Sequence, residues 1–310
     1  MENNSGEKII EENKEKSSEK KFDFELFYNK YYKIFLFIPL IILLICAIYL
    51  YDFNNKHGDL ILKDITLSGG TSIQINTNIE IKKLKQELES NFDEVIIRQI
   101  SDITTGEQVA VIITTKSPVN EIKPFLENYL GFELNSENST IEFTGSALSG
   151  SFYNQLKFAL IISFLLMATI VFVIFRNFIP SIAVVFAALG DIIMTLTVIN
   201  ILEIRLSTAG IIAFLMLIGY SVDSDILLTT RVIKRSGGTI NSRIYSSFKT
   251  GITMTLTSLL VVIVGLVITS SFSKVFSQIF TILSIGLIID IFNTWFFNAG
   301  IIKWYFERKK

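Results

Sequence analysis

The chain has 310 residues, and its 28 Lys and Arg against 29 Asp and Glu leave a formal net charge of −1, which gives no electrostatic case for nucleic acid. Half of the residues are hydrophobic, gathered in runs of about twenty, the length that crosses a bilayer core about 30 Å thick; this is the composition of a polytopic membrane protein. With one Cys (Cys46) and one His (His57), the sequence holds no disulfide framework, no His- or Cys-based metal cluster and no triad built on a buried histidine, and nothing in it calls for a cofactor.

Residues 1–32 read as a cytoplasmic tail. Glu, Lys, Asn and Ser of both charge signs dominate to about Lys21, too little apolar surface to offset ordering entropy. No apolar core of a secretory signal falls in the first thirty residues. Residues 22–32 are aromatic and charged, an amphipathic pattern suited to the membrane surface. The first span is predicted at residues 33–51, about 27 Å at the helical rise, with Pro39 one turn in, where a missing N–H is tolerated.

Residues 52–154 are different material, a soluble domain between the first two spans. Residues 72–77 alternate as a half-buried strand, and 79–90 place Ile81, Leu84 and Leu88 on one helical face. Residues 95–100 and 108–115 read as strands separated by a turn at Thr105-Gly106. Residues 119–130 form a second helix with Ile122, Phe125, Leu126 and Tyr129 on its apolar side, and 140–144 a last strand. The order β-α-β-β-α-β is the ferredoxin-like arrangement.

Five more spans follow within residues 155–302, at about 158–175, 178–202, 206–230, 252–272 and 275–301, with a basic loop at 231–249 and a cytoplasmic tail at 303–310. Gly210, Gly219, Gly265 and Gly286 suit close helix contact. The fifth span opens on Thr250, Gly251, Thr253, Thr255, Thr257 and Ser258. Thr250, Thr253 and Thr257 share a face; these hydroxyls either bond back to their own helix or line a polar interior. Lys33, Arg176, Arg231, Lys249 and Lys303 flank one side, and only Arg205 and Lys274 stand in the short loops of the other. The positive-inside rule then places both termini in the cytoplasm of a multi-pass cell-membrane protein. The predicted fold class is a membrane all-α bundle of six transmembrane helices with an extracytoplasmic α+β domain between the first and second.

Four carboxylates fall inside the apolar runs: Asp191 in the third span, Asp223 and Asp225 in the fourth, Asp290 in the sixth, with Asn293 on the Asp290 face. A carboxylate at membrane depth costs a few kcal/mol on insertion scales and is seldom incidental. Two readings stand side by side, a structural acid hydrogen-bonded to a neighbouring helix and a proton- or ion-handling group. Residues two apart point to nearly opposite sides of a helix, so at most one of Asp223 and Asp225 faces a given neighbour. No Lys or Arg lies at comparable depth; Arg176, Arg231 and Lys249 sit at the ends, where they can snorkel. Unpaired acids so placed are expected to carry a proton. Ser224, Arg231, Lys249, Thr253, Thr257 and Asn293 are the candidate supporting groups.

The stretch Gly219-Tyr-Ser-Val-Asp-Ser-Asp-Ile-Leu-Leu-Thr-Thr-Arg231, with the basic segment after it, resembles the fourth-span signature of the SecF family of protein-export membrane proteins in its archaeal form. Ser68-Gly-Gly-Thr-Ser-Ile-Gln74, containing Gly69, Gly70 and Thr71, is similar to that family's Gly-Gly-Thr strand start. Lys249-Thr-Gly-Ile-Thr-Met-Thr-Leu-Thr-Ser-Leu259 resembles its fifth span. The resemblance covers about residues 34–301. It implies an auxiliary subunit of the Sec translocase rather than an enzyme. The implied partners are a SecD-like six-span half related to the resistance-nodulation-division (RND) exporters, the translocon channel, the translocating preprotein and the lipid bilayer, with the proton-motive force as the implied drive.

Three positions depart from the bacterial pattern. Ser224, flanked by Asp223 and Asp225, occupies the bacterial acidic slot, so the family's proton site is not carried onto one residue. Thr66 stands where the family has an acid three positions before Gly-Gly, with Asp64 nearby. Lys249 replaces an Arg, keeping charge but not the fork of donors. Two alternatives share the buried acids: an independent RND-like ion-coupled transporter of small molecules, and an intramembrane aspartyl protease using Asp191 with Asp223. For the protease, Ala188-Leu-Gly-Asp191 lacks the first Gly of Gly-x-Gly-Asp.

Overall fold

The computed structural model of the protein describes residues 24–92, 94–101, 105–234, 238–270 and 273–308. The solvated tail expected up to Lys21 lies outside them. Helix α1, Phe24–His57, carries the first apolar run and continues past it at both ends, with Pro39 accommodated inside. A short helix, α2 (Ile65–Ser68), leads into the strand β1 (Gly70–Ile75). Then come α3 (Ile81–Asn91), β2 (Ile96–Ser101), β3 (Gln108–Thr115), α4 (Val119–Leu130) and β4 (Ser139–Thr144).

The sheet is four-stranded in the order β4-β1-β3-β2, every neighbouring pair antiparallel. Its register sets Ile73 of the inner strand β1 opposite both Ile113 and Ile141. Strand alternation then decides the core. Ile73, Ile75, Val111 and Ile113 face Leu84 and Leu88 of α3 and Ile122 and Leu126 of α4. The opposite face offers Gln74, Arg98 and Ile112 to a groove of about 310 Å³ against the membrane-part loops.

The Gly69-Gly70 pair makes the join between domain and bundle. Gly69 has φ 84°, and a Cβ there would lie 2.5 Å from the Ser146 Cα. Gly70 has φ 135°, with the Thr115 carbonyl oxygen 2.4 Å from any Cβ. Only glycine combines such φ values with so close a backbone approach. The Thr71 hydroxyl donates to the Ser117 carbonyl at 2.6 Å.

The remaining helices are α5 (Ser146–Phe175), α6 (Phe178–Ile201), α7 (Thr208–Lys234), α8 (Ile240–Thr269), α9 (Lys274–Phe292), a π-helical turn (Asn293–Asn298) and α10 (Ala299–Arg308). With α1 they make six stretches long and apolar enough to cross a membrane. Helix α7 is the centre, packed against α5, α6, α8 and α9. Gly286 and Gly265 admit Leu217 and the Phe280 ring respectively, and Gly210 lies against Ile282. Gly219 is a correction to the expected helix contact: nothing lies within 4 Å of a Cβ there. It falls on the open side of α7 with Met216 and Tyr220.

Two further differences concern helix ends. The basic stretch expected as a loop begins α8 at Ile240, capped by the Thr239 hydroxyl, which accepts from the Ser242 N–H at 3.1 Å. The last helix runs through Arg308, with Lys303 only 1% exposed and its ammonium 4.5 Å from the Tyr32 ring centroid. Hydropathy marks where a chain leaves hydrocarbon, whereas a helix continues as long as its side chains find partners.

At the domain side of the bundle, the segment after α1 is stitched to the α6–α7 loop. Asp64 N–H donates to the Leu206 carbonyl at 2.8 Å, and Leu206 N–H to that of Leu62 at 2.6 Å. Asp64 pairs with Lys274 at 3.2 Å, and the Thr66 hydroxyl accepts from the Thr208 N–H at 3.2 Å. At the Thr66 departure the structure has a hydroxyl accepting from the first residue of α7, with the neighbouring Asp64 carboxylate paired to Lys274.

Candidate functional site

Three of the four intramembrane acids meet. Asp191 projects from α6, Asp225 from α7 and Asp290 from α9, all fully buried or within 1% of it. Asp191 accepts from Asn293 Nδ2 at 2.6 Å and from the Ser221 hydroxyl. Asp290 is met through both oxygens by the Ser224 hydroxyl, at 3.1 and 3.2 Å. The Thr294 hydroxyl lies 2.9 Å from Asp225 Oδ1 and 3.1 Å from Asp290 Oδ1. Asn298 Nδ2 donates to Asp225 Oδ1 at 2.7 Å.

The π-turn is what aims two of these donors. In a continuous α-helix, Asn293 and Asn298 would project about 140° apart. A π-helical turn closes i→i+5, which brings residues five apart to one side, so both amides reach carboxylates of neighbouring helices. Gly190 gives Asn293 its room, since a Cβ there would stand 3.0 Å from the Asn293 amide nitrogen. Behind the turn, Trp295 fills the space left by Gly251.

Donors are scarce here. A hydroxyl carries one hydrogen, yet the Thr294 hydroxyl serves two carboxylates and the Ser224 hydroxyl also lies 2.9 Å from the Ser221 carbonyl. Asp225 Oδ2 and Asn298 Oδ1 are buried without a hydrogen-bond partner among the described residues, as is the Thr229 hydroxyl one turn along from Asp225. Buried polar atoms are ordinarily paired. Sequence reasoning missed Thr294 and Asn298; the signal was an Asn in an apolar span five residues after Asn293.

The family model described as "Protein export membrane protein SecD/SecF, C-terminal" matches residues 126–308, more than half of the chain. The chain belongs to the SecD/SecF family. It is 38% identical to the protein-export membrane protein SecF of Methanocaldococcus jannaschii, over 89% of this chain and 96% of that protein. It is 37% identical to SecF of Methanothermobacter thermautotrophicus, over 90% and 94% respectively. Its fold is similar to that of SecDF, a translocon-associated membrane protein from Thermus thermophilus, with a TM-score of 0.74 and 18% identity. That match covers 94% of this chain and 39% of the SecDF chain.

Within this SecD/SecF fold the other sequence candidates lie apart from the acids. Asp223 is exposed on the open side of α7 beside Gly219 and Tyr220, so the Asp191–Asp223 pairing of a protease is not formed. Arg231 donates to the Ser246 carbonyl at 2.9 Å and to Thr250 Oγ1 at 2.8 Å, pinning α7 to α8. Lys249 is exposed. Of the two readings open for Thr253 and Thr257 the structure takes the first: both are exposed, and their hydroxyls return to the Lys249 and Thr253 carbonyls at 2.8 and 2.7 Å. A hydroxyl satisfied by its own helix needs no polar neighbour, and Thr255 occupies the buried side instead.

Proposed function

We propose that this chain is an auxiliary subunit of the Sec protein translocase, working with a SecD-like six-span half to promote preprotein export, and that the buried acids couple this to the proton-motive force. Membership of the SecD/SecF family supports the export role, and the SecF relatives carry that role in their names. The coupling rests on one observation: Asp225 and Asp290 share a single hydroxyl hydrogen while Asp225 Oδ2 and Asn298 Oδ1 have no partner among the described residues. A proton on Asp225 adds a donor to a cluster short of them, beside the Asn298 amide that already donates to Asp225 Oδ1.

Loss of that proton leaves a charge in a poorly polarisable interior, a cost that favours a different packing of α7 against α9. The Thr294 hydroxyl relays the proton, taking it from Asp225 Oδ1 as it gives its own hydrogen to Asp290 Oδ1. A shift of α7 reaches the domain through the bonds of Leu206 and Thr208 to Asp64 and Thr66.

In this reading residues 52–154 form an extracytoplasmic ferredoxin-like domain that handles the emerging chain, supported by the β-α-β-β-α-β order and the β4-β1-β3-β2 sheet. Both termini lie in the cytoplasm of the cell membrane. Asp223, Gly219 and Tyr220 mark the side of α7 turned to the partner half, where an otherwise lipid-facing carboxylate finds a polar contact. The test is preprotein transport in vesicles carrying this chain with its partner half and channel. Asp225→Asn and Asp290→Asn are each expected to lower the component driven by an imposed proton gradient by about tenfold with little change in melting temperature. Undiminished gradient-driven transport in both variants would remove proton coupling and leave the export role standing.

A further inference from the structure

Away from the acids, a cavity of about 370 Å³ opens at the domain side between the end of α1 and helices α5, α6 and α7. Its walls change character with depth. Asp59 and Lys157 stand at the mouth, beside the domain-side loops. Leu160, Leu196 and Ile211 lie about a turn further in, and Ile192 and Phe214 a turn beyond those, by the direction in which each helix runs.

The charged residues lining the cavity are Asp59 and Lys157, and a second cation, Lys63, stands beside them on the Tyr153 ring. Tyr153 is 6% exposed, and its hydroxyl donates to Asp59 Oδ1 at 2.8 Å. Two ammonium groups sit on its ring, Lys63 Nζ at 4.4 Å and Lys157 Nζ at 4.3 Å from the centroid. Asp59 is already engaged, since Lys63 Nζ lies 2.7 Å from its Oδ2. Lys157 forms no ion pair with a carboxylate of the described residues. Two cations over one anion leave a place for a second anion.

Few ligands suit both halves. A free anion in water would use the lysines and leave the apolar walls unfilled. A polypeptide would carry N–H and C=O groups down between Leu160, Leu196 and Phe214, which offer them no hydrogen-bond partner in hydrocarbon surroundings. A phosphate-headed amphiphile satisfies the mouth and the walls together. We propose that this cavity binds an anionic membrane lipid, its phosphate against Lys157 and its hydrocarbon between α5, α6 and α7.

The test is native mass spectrometry of the full chain exposed to phosphatidylglycerol or phosphatidylcholine with the same acyl chains. Phosphatidylglycerol is expected to be retained about fivefold better, the scale of one lysine beside an anionic headgroup. Lys157→Gln, an exposed position whose change spares the packing, brings retention down to the phosphatidylcholine level. Leu196→Trp, filling the cavity, removes both lipids; for a fold-independent check, inorganic phosphate at millimolar concentration leaves the wild-type adduct in place. Equal retention of the two lipids, an unchanged preference in Lys157→Gln, or displacement by phosphate alone would each overturn the lipid site. So would a photo-crosslinker at Leu196 that captures translocating polypeptide in place of lipid.

Discussion

Asp223 and Asp225 share a residue type, a helix and a sequence motif, and differ in everything their side chains meet. Two steps of about 100° place them on opposite sides of α7. Asp225 is fully buried against Thr294 and Asn298, and Asp223 is exposed. The intervening Ser224 turns inward to Asp290, which makes the motif a compact device for presenting two buried groups and one open one. Gly70 is the residue-scale counterpart in the domain. Its φ of 135° and the Thr115 carbonyl oxygen, 2.4 Å from where a Cβ would stand, leave no room for a side chain. Gly70→Ala is therefore expected to cost about 1–3 kcal/mol, read as a lowered melting temperature of the purified chain. An unchanged melting temperature would show that β1 can start without this approach.

At the scale of elements, the join between α1 and α5 depends on a small ionic clamp. Burial tends to raise the Asp59 carboxyl, but hydrogen bonds from Lys63 and Tyr153, the Lys63 charge and the Leu60 N–H outweigh it and hold the group below its ordinary value. A carboxyl held low in the folded chain contributes stability that is complete above its unfolded value of about 3.9 and is lost as pH falls through the folded value. Melting temperature is accordingly expected to fall between about pH 5 and pH 3 by more in the wild-type chain than in Asp59→Asn. Parallel falls would assign the acid sensitivity to other carboxylates. The π-turn after α9 belongs to this scale too: Asn293, Thr294 and Asn298 act as one unit because the turn faces them to three acids on three helices. The apolar sequence around them, Trp295 through Phe297, contains nothing that announces a π-turn, and within it the ring of Trp295 lies against Gly251.

For the whole molecule, the domain and the bundle are joined by the contacts of Leu206, Asp64 and Lys274. The proposed orientation is checked with Cys46→Ser as background. A membrane-impermeant maleimide on intact cells is expected to label Gly106→Cys in the domain and spare Ser242→Cys at the start of α8; the reverse pattern would invert the topology. Local composition determined by itself the six apolar stretches, the order of strands and helices between the first two, and the presence of acids where hydrocarbon should be, because each of these depends only on neighbours in the chain. Tertiary structure alone decided that Asp225 rather than Asp223 faces inward, that Asp191, Asp225 and Asp290 meet, and that Thr294 and Asn298 join them while Thr253 and Thr257 turn away. The rotation of a helix about its axis, and a π-turn within it, are fixed by packing against helices distant in sequence. No window along a single span carries that information.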